Sequence, residues 1–296
     1  MMSKKIIIVA ACIVALATGS LCRAEGAEKL ETASRSLFER DTLTDDWFGL
    51  GKALSERGIT VGLSSTHIYQ QNLRGGMSTH RHSGRYAGSY DLEMEFDLEK
   101  LFNIKGGSIF MHAEGSWSNG LDASSIGSVF GINADAGGNR VMDLTELYYE
   151  QKLLNDILTF RIGKLDLTGG FECRGCPVAF DCNVFAHDEA SQFLNDGLLG
   201  NPTIPIPDVG LGAVIYANPV KWWYLSAGIV DAQSDARETG FKTAFHGEDH
   251  FFSIFETGVA PRIPSPKGPL QGTYRVGFWY DPQPKERHSG GIKRDD

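Results

Sequence analysis

The chain has 296 residues, of which 28 are basic and 37 acidic, giving a net charge of −9. That acid excess argues against nucleic acid as a partner, and no run beyond the N-terminus approaches the roughly 18 apolar residues of a membrane helix. Glycine supplies 35 residues, above the usual ~7%, and tryptophan and tyrosine recur near segment ends, a composition that suits an all-β chain.

At the N-terminus, Lys4 and Lys5 precede an unbroken apolar run over 6–17 that is too short to span a bilayer. Residues 1–24 therefore read as a signal peptide cut after Ala24, and the mature chain is exported. Without Lys4, Lys5 and Arg23 the 28 basic residues become 25 against 37 acidic ones, so the net charge falls from −9 to −12. Residues 25–44 are polar and read as an N-terminal extension, ahead of a β domain over 45–296. DDWFGLGKALSERG, over 45–58, begins like a helix capped by Asp46, with Trp47, Leu50 and Leu54 near one face.

A first strand is expected over 59–70, followed by a glycine- and histidine-rich loop over 71–84. In DLEMEFDLE, 91–99, every odd position is a carboxylate (Asp91, Glu93, Glu95, Asp97, Glu99) and every even one is apolar (Leu92, Met94, Phe96, Leu98). Period two without an error predicts a strand with one oily and one acidic face. SIFMHAEGSW continues the pattern, setting Ile109, Met111 and Ala113 against Phe110, His112 and Glu114. A soluble antiparallel sheet has this alternation, and so does a porin wall with lipid outside and water inside.

Connection lengths separate these two. Outer-membrane barrels alternate short turns with long outer loops, and the expected connections here run long, short, long, short, very long, short, long. The exception is 258–272, which should be short but is proline-rich and extended. In the hairpin of LTELYYEQ and ILTFRIGKLDL, a two-residue turn at Asn155-Asp156 fixes the register. Tyr149 then faces Ile162, and Gln151 faces Phe160, on the outward side. Glu150 faces Arg161, and Tyr148 faces Gly163, on the polar side, so a Glu150–Arg161 cross-strand ion pair is predicted. Lys164 and Asp166 fall on the outward parity, which calls for a bulge or a place at the membrane rim. Trp222, Trp223 and Tyr224 beside a short turn suit an interfacial aromatic girdle.

Enzyme motifs are poor. SWSNG, 116–120, lacks the first glycine of a nucleophile elbow, and HExxH, phosphate-loop and dinucleotide fingerprints are absent from the sequence. His187, Asp188, Glu189 and Ser191 could form a hydrolytic set, yet neighbours in sequence need not converge. Cys173, Cys176, Cys182 and His187 have zinc-compatible spacing. In an oxidising compartment a disulfide among the three cysteines is preferred, so no metal and no cofactor is expected. A secreted β-sandwich that binds carbohydrate and an exported barrel hydrolase are the rival readings.

DDWFG, ERGI, LTELYYEQ, RIGKLDLTGGF, NPTIPIPDVGLGAVIYANP, WWYLSAGIVDAQ, RETGFKTAF, FFSIFETG and YRVGFWYDPQP follow one another in this chain. From about Asp45 onward the chain thereby resembles the carbohydrate-selective porins of the OprB family. The resemblance implies an antiparallel transmembrane β-barrel of 16 strands in the outer membrane. It implies a homotrimer set in outer-membrane lipid that passes monosaccharides or small oligosaccharides down their gradient, narrowed by an inward-folded third loop. That loop would be the segment following Asp166. With about nine strands and a KRDD ending, the chain is expected to be a C-terminally truncated barrel that alone neither inserts nor conducts. Sugar contacts and pore lining are expected from Glu146, Glu150 and Arg161 in the wall, and from Asp188, Glu189 and Gln192 in the loop.

Overall fold

The computed structural model describes residues 47, 49–80, 83–128, 131–133, 136–166, 207, 209–235, 237–238, 240–245, 249–271 and 274–284. The chain divides into two units, Met1–Ala53 and Leu54–Asp296. The predicted signal peptide and extension lie outside the described residues. The helix expected over 45–58 is shorter: α1 spans Leu50–Glu56 and buries none of its residues. Trp47, placed on its face by the sequence, has a left-handed φ of 56° instead.

The second unit is built on β1 (Ile59–Gln71), β2 (Gly84–Asp97), β3 (Gly107–Trp117), β4 (Arg140–Leu153), β5 (Leu158–Asp166), β6 (Val209–Val220), β7 (Trp223–Asp231), β8 (Phe251–Val259) and β11 (Tyr274–Tyr280). These nine strands form one sheet in chain order, β1-β2-β3-β4-β5-β6-β7-β8-β11, and every neighbouring pair is antiparallel. Sequential neighbours suit a chain in which each alternating segment needs only a hairpin to reach its partner. The anomalous 258–272 connection is extended, as its prolines suggested. It carries a two-stranded ribbon of β9 (Arg262–Ile263) and β10 (Leu270–Gln271).

The acidic alternation is in register as read, except at its end. The strand stops at Asp97 because that carboxylate caps the following helix, α2 (Leu98–Phe102): Oδ1 accepts from the backbone N–H groups of Glu99, at 3.0 Å, and Lys100, at 3.1 Å. Glu99 is thereby removed from the acidic face, and its carboxylate accepts from the Gly106 N–H at 3.2 Å. Alternation alone cannot see a cap, since aspartate serves both patterns.

The β4–β5 register is the predicted one, with Glu150 opposite Arg161 and Tyr149 opposite Ile162. Its turn closes by Ile157 N–H donating to the Leu154 carbonyl at 3.4 Å, with Asn155 and Asp156 at φ 56° and 66°. Positive φ at both central residues is the type I′ geometry that matches strand twist.

Following the register across the sheet separates its two faces. One face carries exposed Leu63, Leu147, Ile162, Ile215, Ile229, Phe255 and Phe278. The other carries the β2–β4 charges and the core cluster of Phe110, Tyr148, Leu165, Val214, Tyr216, Tyr224, Val230 and Phe252. The core cluster therefore lies on the charged face, and the other leaves most of its large apolar groups wholly or partly exposed. No described helix is long and apolar enough to cross a membrane.

Loops 72–83 and 118–139 meet at Asn72 and Ser125, which are 6% and 0% exposed. The Asn72 amide nitrogen donates to the carbonyls of Gly75 at 2.9 Å, Ser78 at 3.0 Å and Ser125 at 3.2 Å. Met77 and Ser78 N–H groups add bonds to the Ser125 carbonyl at 2.8 and 3.0 Å.

Candidate functional site: the charged face of the sheet

Two differently built regions share this face. The first is centred on Glu150 and Arg161, held opposite each other on β4 and β5. Arg161 Nε donates to Glu150 Oε2 at 2.7 Å, and Lys152 Nζ lies 3.7 Å from the other carboxylate oxygen. The guanidinium also lies over two rings, 5.0 Å from Tyr148 and 5.2 Å from Tyr216, an arrangement favoured by the ring quadrupoles. The ion pair is as predicted, but its setting differs. Glu150 and Arg161 are each 7% exposed, so the expected water-facing pair is buried. The two flanking tyrosines take the place of water around it.

The second region spans β2, β3 and β4. Here the register aligns Asp91 with Glu114, Glu93 with His112, His112 with Glu146, and Glu114 with Asp143. Register shifts flank Ala113 and Glu114 on β3, and the first leaves Thr145 as an extra residue on β4. Its hydroxyl is buried against His112, 3.0 Å from Nδ1 and 3.3 Å from the carbonyl. His112 Nε2 lies 3.4 Å from Asp91 Oδ1, and Nδ1 lies 3.9 Å from Glu146 Oε2. Arg140 Nη1 approaches Glu114 Oε1 at 3.7 Å. These side chains are partly exposed, between 15% and 38%.

Lys164 resolves differently from either expectation. The register on both sides of β5 is continuous, with no bulge, yet Lys164 is 4% exposed and does not sit at a rim. Gly163 has φ +145°, a conformation that other residues rarely adopt, and the burial alternation breaks there. The Lys164 ammonium donates to the carbonyls of Leu144 and Glu238, both at 2.6 Å, joining β4 to the 232–250 connection.

Trp222 and Trp223 are 55% and 36% exposed, whereas Tyr224, read with them as a girdle, is buried. Period two turns Tyr224 to the charged face, where its hydroxyl donates to Glu256 Oε1 at 2.7 Å. Asp188, Glu189, Gln192, His187, Ser191, Cys173, Cys176 and Cys182 lie outside the described residues. Sequence reasoning put His112 and Glu114 on the polar face without choosing them as site residues, and their alternation was the available signal. Tyr216 and Glu256 carried no such signal, since their neighbours come from distant segments.

Nine sequentially adjacent antiparallel strands, apolar and uncovered on one face and charged on the other, make the wall of an outer-membrane β-barrel. The chain belongs to the carbohydrate-selective porin, OprB family, whose model matches residues 81–293. A high-pH structure of Pseudomonas putida OprB is similar over 82% of this chain and 57% of that one, with a TM-score of 0.66 and 20% identity. A low-pH structure of the same protein aligns over 81% of this chain and 60% of that one, with a TM-score of 0.44 and 16% identity. The chain thus spans less than two thirds of the length of either. No curated protein matches the sequence.

Proposed function

We propose that this chain forms part of the wall of an outer-membrane channel through which monosaccharides or small oligosaccharides diffuse passively. The observation that carries this reading is the separation of faces, with exposed Leu147, Ile162, Ile215 and Phe278 on one side and the carboxylates of β2–β4 on the other. An apolar band lowers its free energy in hydrocarbon, and a charged inner face keeps water in the passage.

In this reading Glu146, together with Asp188, Glu189 and Gln192 of the loop, replaces water on sugar hydroxyls. Glu150 and Arg161 line the wall behind them and hold it rigid. Passage needs no cofactor or energy source, because the groups that exchange with water release the solute as readily as they take it. The acid excess favours cations over anions. An N-terminal signal directs export, and a homotrimer in outer-membrane lipid completes the assembly.

The test is swelling of proteoliposomes containing the protein expressed from its whole reading frame. Neutral monosaccharides are expected to enter faster than anionic solutes of the same size. Membrane-inserted, folded protein that passes no sugar would overturn the reading.

A further inference from the structure

We propose that the short-turn end of the sheet is a docking rim for anionic phospholipid head groups of the leaflet on that side. The inference rests on the reading of the sheet as a membrane wall. Because neighbouring strands are antiparallel and in chain order, the connections over 98–106, 154–157, 221–222 and 260–271 all leave the sheet at one end. Barrels turn that end to the periplasmic side. Backbone bonds lace the connections together. Lys152 N–H donates to the Gly106 carbonyl at 2.8 Å, Asn218 N–H to the Ile157 carbonyl at 2.7 Å, and Ala260 N–H to the Trp222 carbonyl at 2.8 Å. The four therefore form one continuous rim.

Its charge is opposite to that of the chain. The whole sequence has 37 acidic residues against 28 basic ones, but these connections hold Lys100, Lys105, Lys221, Arg262 and Lys267 against Glu99 and Asp156. Lys100 and Glu99 are already engaged, since Lys100 Nζ donates to the Ser55 carbonyl at 3.0 Å and Glu99 accepts from the Gly106 N–H at 3.2 Å. Lys105, Lys221, Arg262 and Lys267 are exposed, and among the described residues their side chains have no hydrogen-bond or ion-pair partner. The proline-rich 260–271 connection, too long for an ordinary turn, carries two of these cations on and beside its ribbon.

Each cation stands beside large apolar groups that the fold leaves in the open. Phe102 and Ile104 are exposed near Lys105, Trp222 follows Lys221, and the cross-strand pair of Ile263 and Leu270 lies between Arg262 and the Lys267 turn. A soluble polyanion would neutralise the cations but leave this apolar surface in water. A bilayer boundary satisfies both, because rings and aliphatic groups settle at the edge of the hydrocarbon while long basic side chains reach on to the phosphates. The rim also borders the exposed apolar face that carries Leu147, Ile162 and Ile215, so it lies where that band meets the head groups.

The experiment uses the protein expressed from its whole reading frame, reconstituted in vesicles of phosphatidylcholine and phosphatidylglycerol. Each lipid is brominated in turn, and quenching of tryptophan fluorescence is read. Phosphatidylglycerol is expected to quench with about threefold higher apparent affinity at low salt. The preference should disappear at about 1 M salt, where the screening length is about 3 Å. A Lys105→Gln, Lys221→Gln, Arg262→Gln, Lys267→Gln variant should lose it, and an Arg74→Gln, Lys242→Gln variant at the opposite end should keep it. Heat-modifiable gel mobility identifies folded variants, and the salt titration of the unaltered protein decides if the quadruple variant does not fold. Sugar uptake by the same vesicles tests the channel reading separately, and the quadruple variant should match the unaltered protein. Equal quenching by the two lipids in protein that passes sugar overturns the inference, as does a preference that survives in the folded quadruple variant. Salt-sensitive binding to isolated peptidoglycan without a lipid preference would overturn it in favour of a wall polymer. Inserted protein that passes no sugar yet keeps the preference would count against the channel and support the rim.

Discussion

The β4–β5 pair and the β2–β4 patch arise from the same period-two alternation, yet they handle charge in opposite ways. Glu150 is matched by Arg161 on one oxygen and approached by Lys152 on the other, and the Glu150–Arg161 pair is enclosed by Tyr148 and Tyr216 and shielded from solvent. Asp91, His112, Glu114 and Glu146 are partly exposed, and the three carboxylates among them outnumber the permanent cation, Arg140. A balanced, buried pair is costly to disturb because removing one member strands the other, whereas an unbalanced, wetter group can exchange partners. The first region suits support and the second suits contact with solutes.

The largest test of that contrast is Arg161→Ala, which leaves Glu150 buried without its main partner and is expected to cost about 3–5 kcal/mol. Denaturant unfolding in detergent should show it, and a Glu150→Leu/Arg161→Leu double variant should recover most of the loss. A double variant as unstable as the single one would remove the buried-charge explanation. Next comes Lys164→Met, which gives up two charge-assisted bonds to carbonyls and should cost roughly 1.5–3 kcal/mol. Faster amide exchange in the 232–250 connection is the specific signature, and unchanged exchange there would show that Lys164 does not tether it.

Gly163→Ala places a Cβ 2.3 Å from the Leu147 carbonyl at φ +145°, and about 1–3 kcal/mol of strain is expected. Thermal unfolding measures it, and a neutral result would mean that the β5 backbone relaxes without loss. Glu146→Gln should have the smallest effect on stability, within about 0.5 kcal/mol. It should instead reduce cation preference, read as a smaller reversal potential under a salt gradient. An unchanged reversal potential with altered stability would place Glu146 in the supporting class.

Much of this was legible because local rules and tertiary needs agree. Asn155 and Asp156 tolerate left-handed backbone, so the turn could be placed, and with it the Glu150–Arg161 pair. The acidic strand was readable for the same reason, up to the point where Asp97 turned from wall residue to helix cap. Of the two tyrosines around Arg161, Tyr148 was placed on its face by the same register, but Tyr216 was not legible. Tyr216 reaches it through β5–β6 pairing, across a connection whose length fixes no register. Nor could alternation show that Lys164 would be buried, because a glycine's φ is not written in its neighbours.

The junction of Asn72 with Ser125 has a consequence for how the long-loop end behaves. Two loops that hang separately from β1–β2 and β3–β4 would each sample their own conformations. Shared hydrogen bonds around a fully buried serine make them one cooperative element, so that opening either requires breaking the same contacts. Asn72→Ala would therefore be felt in both loops at once, as matched increases in amide exchange over 72–80 and 118–128. The residue thus acts as a hinge pin common to two parts of the rim, although only one of them contains it.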